Sequence, residues 1–307
     1  MNTEVSNQNL EVTSLTITAT ESDCSVTEEE DTDLRCELDN ARAAGAESIW
    51  GKSDRDIAVC RHLWPVLPTY FGAYVEPFLG HSYFFWLTCY NRGWQRAILG
   101  DADQRLIEIY DLIRSSARPI LERLDSWPVP KPTQRTPFLF DNVDDEIGRI
   151  AHIARTGAWL DLTRHLDKEL RRKFESRVRK LETDRILACR DVLDEFAGIE
   201  FVVSDFAETV KSVVAGDFVF LDLPSQFSKE EHVRAAACFR NLEERGVSCV
   251  AAVPVDDDVV ALYNGFEVQN VLGPIPTPKR KSKKSKVIEP PTRPIVAKFA
   301  VGNHAHK

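Results

Sequence analysis

The chain has 307 residues, of which 43% are hydrophobic and 28% charged, and its formal net charge is −9 at pH 7. This length and apolar content suit one large domain with an insertion, or two domains. No apolar run approaches the roughly 20 residues that span a bilayer, and the seven scattered cysteines include no CxxC pair. We therefore expect reduced thiols in a cytoplasmic protein without a membrane partner.

The negative charge is concentrated near the N-terminus. Residues 1–40 contain 11 acidic residues and one basic residue, so they carry −10 and leave +1 for the rest of the chain. Residues 1–44 have no aromatic residue and too little apolar surface to offset the entropy of ordering, which predicts a disordered acidic tail. The acidic total therefore does not exclude a nucleic-acid partner for the remainder.

From residue 45 onward, apolar patterns alternate between helices and strands. Apolar residues at helical spacing predict helices over Ile57–Trp64, Leu106–Ile113 and Lys229–Glu244, with a further helical turn that starts at Pro119. Short apolar runs predict strands, which are Tyr74–Glu76, Ala97–Leu99, Glu200–Val203, Phe218–Asp222, Ser248–Val253, Phe266–Val271 and Ile295–Val301. The proline-rich segment Trp127–Pro132 predicts a stiff linker. Beyond it, residues 142–196 predict charged helices without a strand.

Near-continuous apolar strands separated by helices are typical of a parallel sheet that is covered on both faces. The last two predicted strands have no helix between them, only a basic loop at residues 274–294. They therefore predict an antiparallel hairpin at one edge of an otherwise mainly parallel α/β sheet.

A strand–turn–helix–strand unit, Tyr74–Asp101, organises the rest of the chain. Gly80 follows the first strand and would let a ligand approach the backbone closely. Asp101 ends the second strand, about 20 residues later, where a carboxylate can accept hydrogen bonds from both hydroxyls of a ribose. Alone, this spacing is a weak signal for nucleoside binding.

The segment EPFLG in this unit, together with WGK upstream and GDADQRLIEIYDLIR downstream, resembles the Dam-like family of adenine-specific DNA methyltransferases. The resemblance covers about residues 49–115 and 196–303. It implies a Rossmann-like, S-adenosylmethionine-dependent methyltransferase fold with a helical insertion. The core would comprise residues 45–130 and 196–303, and the insertion, residues 131–195, would occupy the position of the family's DNA-recognition domain. The family resemblance also favours a monomer.

The resemblance implies where S-adenosylmethionine would bind. The loop under its methionine part would be formed by Glu76, Pro77, Phe78 and Gly80. Asp101 would take the ribose, and Asp205 and Phe206 would lie around the adenine. Lys52 of WGK would contact cofactor or DNA, unless it is simply an exposed lysine. His81 departs from the family, which has a small residue there, so its ring is expected to crowd the cofactor.

The strand Phe218–Asp222 ends in Asp222-Leu223-Pro224-Ser225, where the family has DPPY. By resemblance, Asp222 is the catalytic acceptor for the exocyclic amine of a flipped adenine, and Pro224 shapes the turn. Leu223 keeps a carbonyl, but Ser225 offers no ring for base stacking, which is worth about 1–3 kcal/mol per base. We therefore expect impaired adenine methylation. Phe227 is a possible substitute ring. The alternatives are an inactive relative that binds nucleic acid, cofactor or a protein, and a methyltransferase with another substrate.

Two basic segments are candidates for contact with DNA phosphates. Arg164–Lys180 contains eight Lys or Arg residues against three acidic ones, and its candidate contacts are Lys168, Arg171 and Arg172. In the basic loop the candidates are Lys279, Arg280 and Lys281, within a run of eight residues of which six are cationic. Each segment has a simpler explanation, as a solvated helix face or a solubilising loop. The sequence contains no metal-binding spacing, since His304 and His306 are best explained as a frayed tail.

Overall fold

A computed structural model describes residues 48–89, 91–133, 145–164, 166–273 and 295–303. The predicted acidic tail at residues 1–44 and the basic loop at residues 274–294 lie outside these residues. Within the described part of the chain, no helix is long and apolar enough to cross a membrane.

Seven strands form one mixed sheet in the order β3-β2-β1-β4-β5-β7-β6. Their bounds are Tyr70–Glu76 (β1), Gly93–Asp101 (β2), Ile199–Val203 (β3), Phe218–Asp222 (β4), Ser248–Val253 (β5), Glu267–Leu272 (β6) and Ile295–Val301 (β7). Strands β1 to β5 pair in parallel, while β7 pairs antiparallel with both β5 and β6. The architecture is therefore α/β with a mostly parallel sheet, compatible with a Rossmann-like methyltransferase fold.

Nine α-helices are described around this sheet. Their bounds are Asp54–Leu63 (α1), Tyr83–Thr88 (α2), Gln104–Ser126 (α3), Glu146–Arg164 (α4), Lys168–Arg172 (α5), Phe174–Glu195 (α6), Phe206–Thr209 (α7), Lys229–Glu244 (α8) and Asp257–Ala261 (α9). The further turn predicted at Pro119 is part of α3, which has a non-helical residue, Ser116, at φ −134°. Proline has no N–H to continue the helical hydrogen bonds, so the helix changes direction there instead of ending.

Alternate residues of the central strands point to opposite faces of the sheet, because side chains in a strand alternate. Phe218 and Phe220 belong to the core on one face, which the apolar sides of α1, α2 and α3 cover. Val219 and Leu221 belong to the core on the other face, against α7 and α8. Both faces are thus buried, which explains why the strands are apolar at nearly every position.

The helices α4 and α6 pack on α3 and share the core of the first face. A buried ion pair joins them, since the Arg155 guanidinium is 0% exposed and donates from Nε and Nη2 to the two carboxylate oxygens of Glu182. The same guanidinium donates to the carbonyl oxygens of Leu124, Trp127 and Pro128, at 2.8, 3.2 and 2.9 Å. It therefore ties the proline-rich segment after α3 to the two later helices.

Removing one partner of this ion pair should be costly because the other charge stays buried. We expect Glu182→Ala to lower the free energy of unfolding by about 3–5 kcal/mol, measured by urea denaturation. The matched control is Glu122→Ala, because the Arg118–Glu122 pair is well exposed, at 90% and 65%, and should contribute little. Equal losses in the two variants would contradict the assignment.

Candidate functional site

A cavity of about 920 Å³ opens where β1, β2 and β4 end. Strand β1 lies between β2 and β4. The chain therefore continues from β1 to the neighbour on one side, β2, and later returns to the neighbour on the other side, β4. Ligands of open α/β sheets bind outside the carboxyl ends of the strands at such a point. The cavity wall includes nine of the residues that the sequence singled out, namely Glu76, Pro77, Phe78, Gly80, Asp101, Asp205, Phe206, Asp222 and Pro224.

Gly80 and Asp101 hold the two halves of the strand–turn–helix–strand unit together. Gly80 has φ +44°, a left-handed conformation that glycine adopts without strain. Its N–H donates to Asp101 Oδ2 at 3.2 Å, while Oδ1 accepts from the N–H of Asp103 at 2.9 Å. A carboxylate oxygen has capacity for more than one hydrogen bond, so Asp101 can still accept from a ligand hydroxyl.

Glu76 is a buried carboxyl group in the cavity wall, only 3% exposed. It accepts hydrogen bonds on Oε2 from the hydroxyls of Tyr74 at 2.8 Å and Ser82 at 3.3 Å. Burial raises the pKa of Glu76 to about 8, and the nearby charges of Asp222 and Asp101 act in the same direction. Glu76 is therefore mostly protonated at neutral pH, and a cationic ligand in the cavity would favour its ionised form.

Three phenylalanine rings form one side of the cavity. Phe78 lies 5.0 Å from Phe206 and 5.4 Å from Phe227 between ring centroids, the second contact being edge-on. Beside them Asp205, which caps the start of α7, accepts on Oδ1 from the Ala207 N–H and from Arg234. Phe227, considered in the sequence as a substitute stacking ring, belongs to this cluster.

His81 and Trp50 lie at the other side of the cavity. Their rings stack with centroids 5.3 Å apart and an interplanar angle of 17°, and both residues form part of the cavity wall. The backbone of Trp50 and the neighbouring Gly51 packs closely against Gly157 of α4. A Cβ added to Gly157 would lie 2.6 Å from the Trp50 carbonyl carbon. Lys52 is not part of the cavity wall, and its own carbonyl accepts from Arg164.

Asp222 is engaged by an arginine that the sequence did not single out. Arg55 Nη2 lies 2.6 Å from Asp222 Oδ1, and Arg55 Nη1 lies 3.0 Å from Oδ2. Arg55 is the second residue of α1, where a cation opposes the helix dipole. This unfavourable position could have marked Arg55 in the sequence. It does not identify Asp222, which is 167 residues away, as the partner of Arg55.

The residues after Asp222 make a turn at the cavity wall. Leu223 is 3% exposed, and its N–H donates to the Ala252 carbonyl at 3.1 Å. The Pro224 carbonyl accepts from the Phe227 N–H at 3.2 Å, and this turn carries the Phe227 ring to its cluster. Ser225 is exposed on the cavity wall and places no ring there.

The candidate DNA contacts on α5 are not part of the cavity wall. Lys168, Arg171 and Arg172 are exposed on α5, while Lys279, Arg280 and Lys281 are outside the described residues. Among the residues that the structure describes, no group of three or more His, Cys, Asp or Glu side chains could hold a metal ion.

Because the pKa of Glu76 is raised in the folded protein, we expect the free energy of unfolding to depend on pH. The unfolded carboxyl has a pKa of 4.5 and the folded one about 8, so between these values the native state binds more protons. The free energy of unfolding should therefore fall as pH rises through this range, by at most about 1.4 kcal/mol per pH unit. Urea denaturation at a series of pH values should show that Glu76→Gln, which stays neutral, lacks this decline. Parallel pH profiles for wild type and variant would contradict it.

Comparison with known proteins supports a methyltransferase relationship. No family model matches the chain. A match of 257 residues, 74% of this chain and 88% of the other protein, is found with the Type II methyltransferase M1.LlaDCHI of Lactococcus lactis subsp. cremoris, at 21% identity. Together with the mostly parallel α/β sheet, this similarity relates the chain to methyltransferases.

Proposed function

We propose that this protein binds S-adenosylmethionine in the cavity and transfers its methyl group to the exocyclic amine of an adenine flipped out of DNA. The single observation that carries the proposal is that Gly80 after β1, Asp101 at the end of β2 and Asp222 at the end of β4 open onto one cavity. Its volume of about 920 Å³ is in the range of small-molecule sites. The similarity to a Type II methyltransferase favours this ligand over other nucleosides.

The residues of the cavity fit the parts of this cofactor. The Phe78 and Phe206 rings provide an apolar surface for the adenine, and Asp101 provides acceptors for the ribose hydroxyls. Glu76 provides a carboxyl group that ionises more readily beside a cation, and the methionine part carries an ammonium group. When bound, the cofactor supplies a methyl group on a positively charged sulfur.

The acceptor side of the cavity is at Asp222. A carboxylate that accepts an N–H of the exocyclic amine orients the amine and stabilises the positive charge that develops on nitrogen as it is methylated. Asp222 ends β4 at the cavity wall, so its side chain can take this role once the amine reaches it. DNA is the proposed partner, with the exposed cations of α5 as candidate phosphate contacts.

A second candidate function, cofactor binding without efficient methyl transfer, is favoured by two observations. Ser225 provides no ring for a flipped base, and the Phe227 ring packs on Phe78 at the cofactor side of the cavity. In addition, Arg55 contacts both carboxylate oxygens of Asp222. Both features weaken the acceptor side and leave the cofactor side intact.

Calorimetric titration with S-adenosylmethionine tests the cofactor site. We expect wild type to bind, and Asp101→Ala to bind about 10- to 100-fold more weakly because hydrogen bonds to a charged acceptor are lost. Asp111→Ala, an exposed aspartate on α3, is the control and should bind like wild type. If wild type shows no binding heat and no thermal shift, neither proposed function survives.

Methyl incorporation into unmethylated DNA separates the two candidates. The enzyme predicts incorporation above the level of Asp222→Ala, whereas the binding protein predicts the same background in both. We expect Ser225→Tyr to raise any incorporation by about 5- to 150-fold, the value of one base stacking contact. Leu223→Pro is the less suitable reversion because it removes the hydrogen bond to Ala252. No gain with Ser225→Tyr would show that stacking is not the defect.

A further inference from the structure

Arg55 and Asp222 form an ion pair inside the proposed acceptor site. Two parallel N–H···O contacts, at 2.6 and 3.0 Å, use both carboxylate oxygens. The pair is partly shielded from water, with 35% of the Arg55 side chain and 30% of the Asp222 side chain exposed. Such bidentate, charge-assisted contacts are stronger and more directional than contacts between neutral groups.

Helix α1 is capped independently of this pair. The start of α1 is fixed by a capping box, in which Ser53 and Asp56 each bind the backbone N–H of the other. A cation in the first turn of a helix is unfavourable, so Arg55 contributes nothing to the helix by position.

A second arginine on the cavity wall shows that a different arrangement is available. Arg234 contacts Asp205 through one nitrogen, at 2.8 Å, and on Oδ1 only. The Arg234 guanidinium also lies over the Phe206 ring at 4.9 Å. Arg234 therefore contacts one carboxylate oxygen of Asp205, whereas Arg55 contacts both carboxylate oxygens of Asp222.

We propose that Arg55 competes with the incoming amine for the acceptor carboxylate, so that the amine makes its full contact with Asp222 only after the guanidinium has been displaced. The inference rests on the proposed function, because it takes Asp222 as the acceptor. An exocyclic amine is a neutral donor, and it replaces two charge-assisted contacts with a single weaker one. Arg55 thereby determines specificity, because an amine that brings no other compensating contact is excluded.

The test uses the full chain saturated with S-adenosylhomocysteine and two DNA duplexes that differ at one base. One duplex carries adenine opposite an abasic site, and the other carries purine, which lacks the exocyclic amine, in the same place. Since the phosphates are identical, the ratio of the two dissociation constants reports only the contact made by the amine.

We expect wild type to bind the two duplexes nearly equally. Arg55→Gln should prefer the adenine duplex by about 10- to 100-fold, the range for a hydrogen bond to a charged group, and Arg55→Lys should lie between. Adding Asp222→Ala to Arg55→Gln should abolish the preference. The matched control is Arg123→Gln, because Arg123 is also 35% exposed and contacts both oxygens of Asp145, yet is not part of this cavity wall. It should behave like wild type.

Two results would overturn the inference while the proposed function stands. One is an Arg55→Gln variant that binds S-adenosylhomocysteine but discriminates the duplexes no better than wild type. The other is a wild type that already prefers adenine strongly. If wild type fails to bind S-adenosylhomocysteine, the proposed function fails first, and the inference fails with it. Thermal unfolding of each variant confirms that the folded chain is compared.

Discussion

Seven carboxyl groups line one cavity, and the electrostatic repulsion between them is the constraint on which the site depends. The four that lie at or just after strand ends are each stabilised in a different way. Glu76 is kept mainly protonated by burial, and Asp101 accepts from two backbone N–H groups. Asp205 begins a helix and pairs with Arg234, and Asp222 is neutralised by Arg55. Without these arrangements, several like charges would lie uncompensated in a partly buried space.

The topology of the sheet brings these groups together. Strands β1, β2 and β4 run in parallel, so their carboxyl ends meet at one edge, and residues after β3 reach the same edge. A cavity remains because the chain turns to opposite sides of the sheet after β1 and before β4. The acidic residues therefore come from distant parts of the sequence, although each lies at or just after the end of its own strand.

Prediction from the sequence succeeded where chemistry and local pattern coincide. Strand ends can be identified from apolar runs, so the positions of Glu76, Asp101 and Asp222 could be derived as points on one edge of the sheet. The assigned roles of these residues stay predictions, as do the boundaries of the helical insertion.

Contacts that depend on distant residues could not be derived in this way. Arg55 had no local signal that identifies Asp222 as its partner, because the two are joined only by the folded sheet. The placement of Lys52 outside the cavity wall follows from the close contact of its neighbour Gly51 with α4. Arg155 and Glu182 appear in the sequence as two ordinary charges on helices, and only the packing of α3, α4 and α6 buries them.

The Leu223 N–H bears on how this chain could acquire the DPPY tetrapeptide through successive mutations. That N–H extends the pairing of β4 with β5 by one hydrogen bond, which proline cannot make. A first mutation to proline would thus lower stability before any ring is present to improve base binding. A first mutation of the exposed Ser225 to tyrosine meets no such barrier, so the accessible order of change runs from the last position of the tetrapeptide backward.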